Sequence, residues 1–301
     1  MDFQLPSHVA RRYAADFPQR ATAWRLRTRT LDLSGPPALM GIVNVTPDSF
    51  SDGGRFFDAS RAVDQALQLE ADGAAILDVG GESTRPYSDP VAEDEELRRV
   101  LPVVERLAEL ATVPISIDTS KAEVARQAID AGAEILNDVT GLEGDPAMEA
   151  LAADTGVGVC AMHMQGTPQT MQDDPRYNDV VADIGRYLQH RRDRLQAAGI
   201  AAERVCLDPG IGFGKTHDHN LALMANCWRY HDLGRPLLVG HSRKGFLAKL
   251  LGSKEVDRAA ITAGAAASLA AQGVQVIRVH DVKTAKETLT GFLACRQASP
   301  G

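Results

Sequence analysis

Aromatic side chains are scarce in this chain. Phe, Trp and Tyr make up 5% of its 301 residues, whereas hydrophobic residues as a whole make up 44%. The core must therefore be built from Ala, Leu, Val and Ile, a set that suits parallel strands covered by helices on both faces. A chain of this length can form one domain or two, and α/β barrels of this size are single domains.

A net positive charge and long apolar runs are also missing. The formal net charge is −8 at pH 7, which argues against a general nucleic-acid-binding protein. No apolar run reaches the roughly 18 residues of a membrane span, and the N-terminus has no apolar signal-peptide segment. We therefore expect a cytoplasmic protein with neither a nucleic-acid nor a membrane partner.

Cysteine is rare as well. The four cysteines show neither CxxC spacing nor the density of a disulfide framework. We interpret them as small buried hydrophobic residues of a protein in a reducing compartment. They are Cys160, Cys206, Cys227 and Cys295.

Short apolar runs recur from residue 39 onward, and each is followed by a polar turn and a helical stretch. The eight runs are 39–45, 75–79, 114–117, 135–136, 158–162, 205–207, 237–239 and 276–279. Strands that alternate with helices predict right-handed βαβ units and a parallel sheet. Eight such units predict an α/β fold of the closed (β/α)8 TIM barrel type. An open, doubly wound sheet is the alternative.

The residues before the first run have a different pattern. Residues 24–30 alternate between apolar or threonine side chains and arginines, which is the period of a β-strand. Residues 31–33 can pair with it, so we predict a short N-terminal β-hairpin that caps the barrel floor. Residues 1–23 are polar without a clear period, and we assign them to an N-terminal extension, either flexible or a short helix. The barrel domain then covers residues 24–301.

Capping residues predict two helix starts within the barrel. Ser120 with Glu123 has the spacing of a capping box. Asp145 before Pro146 has the sequence of an N-cap followed by a first-turn proline.

Polar or charged side chains follow nearly every apolar run. The carboxyl ends of all barrel strands meet at one mouth, so we predict that these side chains form one polar pocket. A helix cap or a loop charge explains any one of them but not all eight ends together, because desolvating unpaired charge is unfavourable. The residues are Asn44, Thr84, Arg85, Asp118, Asn137, Asp138, His163, Asp208, residues 241–244, Arg278 and His280.

Two kinds of side chain are present in this predicted pocket. Asp118, Asn137 and Asp208 offer acceptors and an amide, which suit the edge of a flat heterocycle with a guanidine-like face. The cations, expected toward the rim, are Arg85, Lys244, Arg278 and His280. A heterocycle with an anionic phosphate tail fits both sets.

The Gly-rich segment 208–216 ends in Gly-Lys-Thr, as a nucleotide-binding P-loop does. Pro209 occupies the position of the first P-loop glycine, which argues against that interpretation. The glycines instead allow the backbone to approach a ligand while Phe213 lies along it. His217 and His219 lie two residues apart in a polar loop, a spacing too unspecific to predict a metal site.

Two segments resemble the signatures of dihydropteroate synthases. Residues 40–54 (MGIVNVTPDSFSDGG) are similar to the first and residues 78–86 (DVGGESTRP) to the second. Shorter matches follow in family order at 116–119, 137–139, 162–166, 208–215, 242–244 and 278–282. Tyr87 departs from the resemblance, since we expect glycine at its position in the family, and this departure bears on the mobility of its loop.

The resemblance implies the binding residues for two substrates and a metal ion. The pterin ring would be bound by Asp118, Asn137, Asp208 and Lys244, with Met162, Gly212, Phe213 and Arg278 against it. The p-aminobenzoate pocket would be formed by Phe50, Thr84, Arg85, Pro86 and Ser242 once the first two loops close. Mg²⁺ would be the cofactor, bound by Asn44 and bridging the pyrophosphate, which Arg278 and His280 would also bind. The catalytic set would be Asn44, Thr84, Arg85, Lys244, Arg278 and His280. Family members are commonly homodimers and sulfonamide targets.

The implied activity is that of a transferase in folate biosynthesis. It would condense 6-hydroxymethyl-7,8-dihydropterin pyrophosphate with p-aminobenzoate to 7,8-dihydropteroate by SN1-like loss of pyrophosphate. An aniline nitrogen is neutral near pH 7 and needs no base, so the protein has to supply positioning and charge stabilisation.

Two other functions are compatible with a pterin pocket. A corrinoid-linked methyltransferase would have no use for Thr84-Arg85-Pro86 or for the Arg-Val-His sequence at 278–280. A catalytically silent pterin-binding paralogue would have no need of Asn44, Arg278 and His280, all of which are present.

Overall fold

The computed structural model describes residues 5–46, 55–253 and 257–297. The strands are β1 (Ala23–Arg25), β2 (Thr30–Asp32), β3 (Ala38–Asn44), β4 (Ile76–Gly80), β5 (Ile115–Asp118), β6 (Ile135–Asp138), β7 (Gly158–Met162), β8 (Val205–Asp208), β9 (Leu238–Gly240) and β10 (Val276–Val279). The helices are α1 (Leu5–Asp16), α2 (Arg55–Ala71), α3 (Glu93–Leu110), α4 (Ala122–Asp130), α5 (Met148–Thr155), α6 (Val180–Ala197), α7 (His217–Asn226), α8 (Gly245–Leu250), α9 (Ala259–Ala271) and α10 (Val282–Gln297).

Strands β3 to β10 form one parallel sheet of eight strands, in the order β8-β7-β6-β5-β4-β3-β10-β9. The two end strands meet through a parallel bridge between Leu207 and Leu237, where the Leu207 N–H donates to Pro236 O at 2.9 Å. The closed (β/α)8 barrel is therefore confirmed and the open sheet is excluded. All eight apolar runs became barrel strands.

Helices pack on the outside of the barrel through aliphatic side chains. In α3 the buried residues Val100, Val103, Val104 and Leu107 recur at the spacing that places them on one helical face. They belong to a core built almost entirely from aliphatic residues. The low aromatic content is thus compatible with a closed core.

The predicted hairpin is present and covers the floor of the barrel, but its first strand is shorter than predicted. It ends at Arg25, residues 26–29 form the connection, and Thr30 already belongs to the second strand. Strands β1 and β2 pair antiparallel, with Trp24 opposite Leu31. Trp24 and Leu26 are fully buried in a second apolar cluster with barrel residues such as Met40 and Ile76. The Trp24 indole also donates to Arg204 O at 2.8 Å.

The segment before the hairpin forms a helix that packs against the barrel. In α1, Val9 and Tyr13 are buried, and the Tyr13 hydroxyl donates to Ala270 O at 2.5 Å. Arg20, also buried, donates to Gly273 O at 2.6 Å and to Leu33 O at 2.7 Å. Three hydrogen bonds thus join the N-terminal residues to the protein, two to the end of α9 and one to the end of the hairpin.

The two predicted helix starts are wrong in detail. Helix α4 begins without a side-chain cap, and the Ala122 N–H donates instead to Asp145 of the next unit, at 2.9 Å. Helix α5 begins at Met148, after a turn in which Asp145 accepts from the Ala147 N–H. A carboxylate from elsewhere in the fold supplies the partner that local spacing had assigned to Ser120.

Among the described helices, none combines the length and the apolarity needed to cross a bilayer.

Candidate active site at the barrel mouth

The carboxyl ends of the parallel strands bring the predicted polar residues to one mouth. Asn44, Asp118, Asn137 and Asp208 lie in the last two positions of β3, β5, β6 and β8. Their register is continuous around the barrel, since Asp118 lies beside Asn137 and Met162 beside Asp208. Residues far apart in sequence thus share one rim.

A buried network of two carboxylates, an amide and a guanidinium lies in the barrel interior. Arg278 Nε donates to Asp78 Oδ2 at 2.6 Å, and Arg278 Nη2 donates to Asp118 Oδ2 at 2.7 Å. The Asn137 amide also donates to Asp78, at 3.3 and 3.4 Å to the two oxygens. Three predicted pterin residues are therefore connected, since Arg278 bonds Asp118 directly and reaches Asn137 through Asp78.

Arg278 was predicted in two roles, against the pterin ring and toward the rim as a cation for the anionic tail. Its guanidinium binds Asp78 and Asp118, because carboxylates removed from water need a partner. This position agrees with the first role, and the second stays a prediction. Burial alone would lower the pKa of Arg278, but Asp78 and Asp118 raise it. Burial raises the pKa of Asp118 above its usual range, with Arg278 opposing and Asp78 adding to the shift.

Asp78 is a site residue that sequence reasoning missed. It is fully buried in the middle of β4, and in the sequence it is the first residue of the second family motif, 78–86. The available signal was a carboxylate inside the otherwise apolar run 75–79, since a buried charge requires a partner. Its partners, however, lie 59 and 200 residues further along the chain.

Asp208 ends β8 and is held by its own loop. Its Oδ1 accepts the Gly210 N–H at 2.7 Å, and its carbonyl accepts the His163 N–H at 3.0 Å. Gly210 has φ +68°, and a Cβ there would lie 1.9 Å from His163 O, so only glycine fits. Burial raises the pKa of Asp208 to about 6, against the opposing effect of the Gly210 hydrogen bond and of Lys244.

The Gly-rich loop brings Phe213 and Lys244 together beside Asp208. Lys244 Nζ lies 4.4 Å from the centre of the Phe213 ring and donates to Ile211 O. A Cβ on Gly212 would lie 2.8 Å from Lys244 Cδ, so this glycine admits the lysine stem. Burial lowers the pKa of Lys244 to about 7, although Asp208 opposes the shift. Three predicted pterin residues are therefore adjacent.

Lys215 is a second buried group that the sequence analysis did not assign to the site. Its Nζ donates to Phe213 O at 2.7 Å and lies 3.0 Å from His163 Nδ1. Burial and the charge of Lys215 lower the pKa of His163 to about 3. Lys215 thus connects the loop that carries Phe213 to His163, the residue that follows Met162 at the end of β7. Its neighbour Thr216 caps α7 together with His219, which gives His219 a structural role.

Ser242 and His280 meet at the other end of the pocket. The Ser242 hydroxyl lies 3.0 Å from His280 Nδ1 and accepts the His280 N–H at 3.2 Å. Burial, together with four cations, lowers the pKa of His280 to about 3; the cations are Arg278, Arg243, Arg85 and Lys244. Burial and this positive surrounding favour a neutral imidazole at neutral pH, whereas the sequence led us to expect a cation at His280. Arg243, one of the predicted strand-end residues 241–244, adds to the same positive region.

The loop between β4 and α3, residues 81–92, carries three predicted p-aminobenzoate residues. Its base is fixed, because Glu82 accepts the Val91 N–H at 3.2 Å and Lys121 at 2.5 Å. Thr84 is half-buried, and Arg85 and Pro86 are exposed at the rim. Phe50, the other loop residue of this predicted pocket, lies outside the described residues.

Tyr87 in the same loop adopts φ +63°. This left-handed conformation favours glycine and is uncommon for other residues. The glycine expected here from the resemblance is therefore the residue that the backbone itself favours.

Asn44 is half-buried at the end of β3, where β3 pairs with Gly80 of β4. In the described parts of the chain, no group of three or more His, Cys, Asp or Glu side chains is arranged to hold a metal ion. Asn44 by itself fits Mg²⁺ only as one oxygen ligand among substrate phosphate oxygens and waters, which is how Mg²⁺ is commonly bound.

Comparison with known proteins agrees with this geometry. The family described as pterin binding enzyme matches residues 40–280. The dihydropteroate synthase of Escherichia coli (strain K12) is 49% identical over 260 residues, which cover 86% of this chain and 92% of that protein. The chain belongs to the dihydropteroate synthase family.

Solved structures of this family share the fold closely. A dihydropteroate synthase of Yersinia pestis, in a sulfonamide drug complex, has a TM-score of 0.86 and 47% identity, covering 92% of this chain and 100% of that one. The enzyme of Xanthomonas albilineans in complex with 7,8-dihydropteroate has a TM-score of 0.83 and 42% identity, with coverage of 92% and 100%. The chain is accordingly a transferase with dihydropteroate synthase activity. This assignment favours the synthase over the methyltransferase alternative.

Proposed function

We propose that this dihydropteroate synthase condenses 6-hydroxymethyl-7,8-dihydropterin pyrophosphate with p-aminobenzoate, giving 7,8-dihydropteroate and pyrophosphate. The observation that carries the proposal is a barrel mouth that holds both carboxylates and a histidine surrounded by cations. Asp78 and Asp208 are buried there and Asp118 is largely buried, while the charges of Arg278, Arg243, Arg85 and Lys244 act on His280. We call the region of the three carboxylates the acidic end and the region around His280 the basic end, although Arg278 and Lys244 also contact carboxylates. A pterin ring offers N–H donors to the first region, and a pyrophosphate tail offers negative charge to the second.

The acidic end binds the pterin ring. Asp208 accepts two parallel N–H bonds from the amino group and the ring nitrogen, as a carboxylate does from a guanidine. Asn137 and Asp118 bind the opposite edge, and Phe213 and Met162 lie against the ring faces. The Arg278 network keeps Asp118 and Asn137 in place, because each is bonded to a partner that does not move with the ligand.

The basic end binds the leaving group. Ser242 orients the His280 ring, so that Nε2 is free to donate to a phosphate oxygen when Nδ1 accepts from the hydroxyl. Lys244 and Arg243 add positive charge to this end, and that charge stabilises pyrophosphate as it leaves.

Bond breaking precedes bond making in the proposed reaction. The carbon–oxygen bond to pyrophosphate breaks, and its electron pair leaves with the pyrophosphate. The electron-rich dihydropterin stabilises the cation on its exocyclic methylene. The neutral arylamine nitrogen then attacks that carbon and loses a proton to solvent. Among the described residues of the pocket we assign no covalent nucleophile, since positioning and charge stabilisation suffice.

Mg²⁺ would be held by Asn44 and by pyrophosphate oxygens. When bound, it neutralises charge on the departing pyrophosphate. Thr84, Arg85 and Pro86, with Ser242, form the arylamine pocket, and the Arg85 guanidinium suits the carboxylate of p-aminobenzoate. Sulfonamides, which resemble the arylamine, bind in the same pocket.

Two further properties are proposed, a homodimer and a cytoplasmic location. The homodimer is expected from the family resemblance, and sedimentation of the purified protein would test it. Cys160, Cys206 and Cys227 are buried as predicted, whereas the prediction is wrong for Cys295, which is exposed near the C-terminal end of α10. All four thiols are free, which suits the reducing cytoplasm.

A single assay tests the proposed function. The purified protein is incubated with the pterin pyrophosphate, p-aminobenzoate and Mg²⁺, and formation of 7,8-dihydropteroate is followed. We expect product in the complete mixture and none when p-aminobenzoate is omitted. Tight pterin binding without product would instead identify a silent paralogue.

A further inference from the structure

The loop of residues 81–92 is bonded to a second loop across the barrel mouth. We refer to residues 81–92 as the arylamine loop, to residues 209–216 as the pterin loop, and to residues 167–173, which follow β7, as the strap. The Tyr87 N–H donates to Pro168 O at 3.0 Å, and the Tyr87 hydroxyl donates to Asp173 Oδ1 at 3.1 Å. The Gln169 amide donates to Ser88 O at 3.1 Å. Two adjacent loop residues thus make three bonds to the strap.

The same strap is bonded to the pterin loop on its other side. The Gln172 amide donates to Gly212 O at 2.8 Å. Met171 is buried, at 3% exposure, and its N–H donates to Thr167 O at 2.7 Å, so the strap is a closed turn anchored in the protein. It therefore links Gly212, beside Lys244, to the tip of the arylamine loop.

Tyr87 is unusual at this position for two reasons. Its φ of +63° lies in the left-handed region, where a side chain is disfavoured. The residue is 64% exposed, so apolar burial does not account for its presence. What the side chain adds is the hydroxyl bond to Asp173. A glycine could adopt the same backbone and donate the same N–H, but it could not make that bond.

The bonds at Tyr87 reach the predicted arylamine residues through the loop backbone. The Ser88 N–H donates to Arg85 O at 3.1 Å, and the Ser88 hydroxyl donates to Ser83 O at 2.5 Å. Residues 83–88 thus form a compact turn that carries Thr84, Arg85 and Pro86. Holding Tyr87 and Ser88 against the strap fixes the position of the whole turn.

We propose that Tyr87 is a positioning residue, which with Asp173 and Gln172 of the strap docks the arylamine loop onto the pterin loop before the arylamine binds. The proposal rests on the proposed function, because that function places p-aminobenzoate at this loop. A docked loop loses less conformational freedom on binding, which raises arylamine affinity without a new contact to substrate.

The test compares Tyr87→Phe and Asp173→Ala with Asp174→Ala. Each of the first two removes the hydroxyl bond, whereas Asp174 is an exposed neighbour whose partner is Arg176. Loss of one such hydrogen bond should raise the KM for p-aminobenzoate about three- to tenfold. The kcat and the dissociation constant of a simple pterin should stay unchanged, and Asp174→Ala should alter none of these values.

A double variant separates the proposal from a general loss of structure. Tyr87→Phe combined with Asp173→Ala should raise the KM for p-aminobenzoate no more than either single change, because both remove the same bond. Gln172→Ala, on the side of the strap away from Tyr87, should also raise this KM. An unchanged KM in the single variants, or an equal change in Asp174→Ala, would overturn the proposal.

The free enzyme gives a second measurement. Tyr87→Gly should weaken a sulfonamide more in the absence of pyrophosphate and Mg²⁺ than in their presence, as measured by calorimetry. An equal effect under both conditions would also overturn the strap proposal. If wild-type enzyme formed no dihydropteroate at all, the proposed function would fail, whereas an active wild type with unaffected variants would contradict the strap alone.

Discussion

Asp208 combines burial with a partner that favours its charge. The Gly210 N–H at 2.7 Å stabilises the carboxylate, while burial raises its pKa to about 6. The side chain is therefore mostly ionised at neutral pH and becomes protonated just below it. A protonated acid presents one donor where two acceptors are needed for the pterin edge.

Asp208→Asn is expected to weaken pterin binding about tenfold or more, because an unmatched buried polar group costs about 1–3 kcal/mol. Calorimetry with a simple pterin measures this. A normal dissociation constant in the variant would show that Asp208 does not hold the ring.

The pH dependence of binding follows from the same pKa. The folded pKa of Asp208 lies above its usual value of 3.8, so the required carboxylate is present above about pH 6 and is lost as the pH falls through it. Wild-type pterin affinity should therefore decline below pH 6, and the same titration of Asp208→Asn should lack that decline. If the pterin affinity of Asp208→Asn declined with pH as it does in the wild type, the titrating group would be a residue other than Asp208.

The family resemblance assigns Asn44 and His280 to the leaving group and not to the pterin ring. His280→Ala and Asn44→Ala are expected to weaken pyrophosphate binding and the response to Mg²⁺, while sparing a pterin that lacks the pyrophosphate. Calorimetry with the two ligands measures the difference. Similar losses for both ligands would contradict the division into a ring end and an anion end.

At the scale of elements, the loop after β4 supplies three residues of the proposed arylamine pocket, Thr84, Arg85 and Pro86. Its base is fixed by Glu82 and Lys121 and the backbone of its tip is held by the strap, but the Arg85 side chain is exposed. Such a pocket is completed when a ligand draws the exposed side chains inward.

We therefore expect p-aminobenzoate, or a sulfonamide, to bind wild-type enzyme weakly alone and more tightly with pyrophosphate and Mg²⁺. The strap holds the backbone of the turn, and the charge of pyrophosphate attracts the exposed Arg85 side chain, which completes the pocket. Titrations of a sulfonamide with and without pyrophosphate test this order. Equal affinities would mean that the pocket is complete in the free enzyme.

The strands of the barrel were predictable from the sequence, whereas the start of one helix was not. Eight apolar runs gave all eight barrel strands, because burial of a strand between helices depends on its own residues. The start of α4 was mispredicted, because the partner of the Ala122 N–H is Asp145 from the next unit. The spacing of residues near a helix start cannot identify a capping carboxylate that comes from another unit of the barrel.

At the scale of the whole molecule, the N-terminal residues contribute to stability at a distance from the site. Arg20 is buried and donates to Gly273 O and Leu33 O, which joins the N-terminal segment to the barrel and the hairpin. Burial lowers its pKa to about 10, so it still carries its charge at neutral pH.

Arg20→Ala is expected to lower the free energy of unfolding by about 2–4 kcal/mol, because it leaves buried carbonyls without a donor. Arg25→Ala is the control, since it removes an exposed ion pair with Glu203, which contributes about 0–1 kcal/mol. Denaturant titrations compare the two variants, and the KM for p-aminobenzoate should be unaffected in both. Equal free energies of unfolding for the two variants would show that the Arg20 hydrogen bonds contribute little to the stability of the fold.

The sequence alone determined the architecture, the family and most of the pocket residues. Periodic burial and strand-end polarity are local properties, and the motifs at 40–54 and 78–86 are contiguous, so each can be read from neighbouring residues. Closure of the barrel then necessarily gathered Asp118, Asn137 and Asp208 at one mouth.

Only the tertiary structure decided which side chains pair and what charge they carry. Asp78 and Arg278 are 200 residues apart, and no local pattern relates them. The neutral state of His280 depends on burial and on cations from three different loops and strands. Charge state and pairing are set by distance and desolvation in the closed barrel, and both of these exist only once the chain has folded.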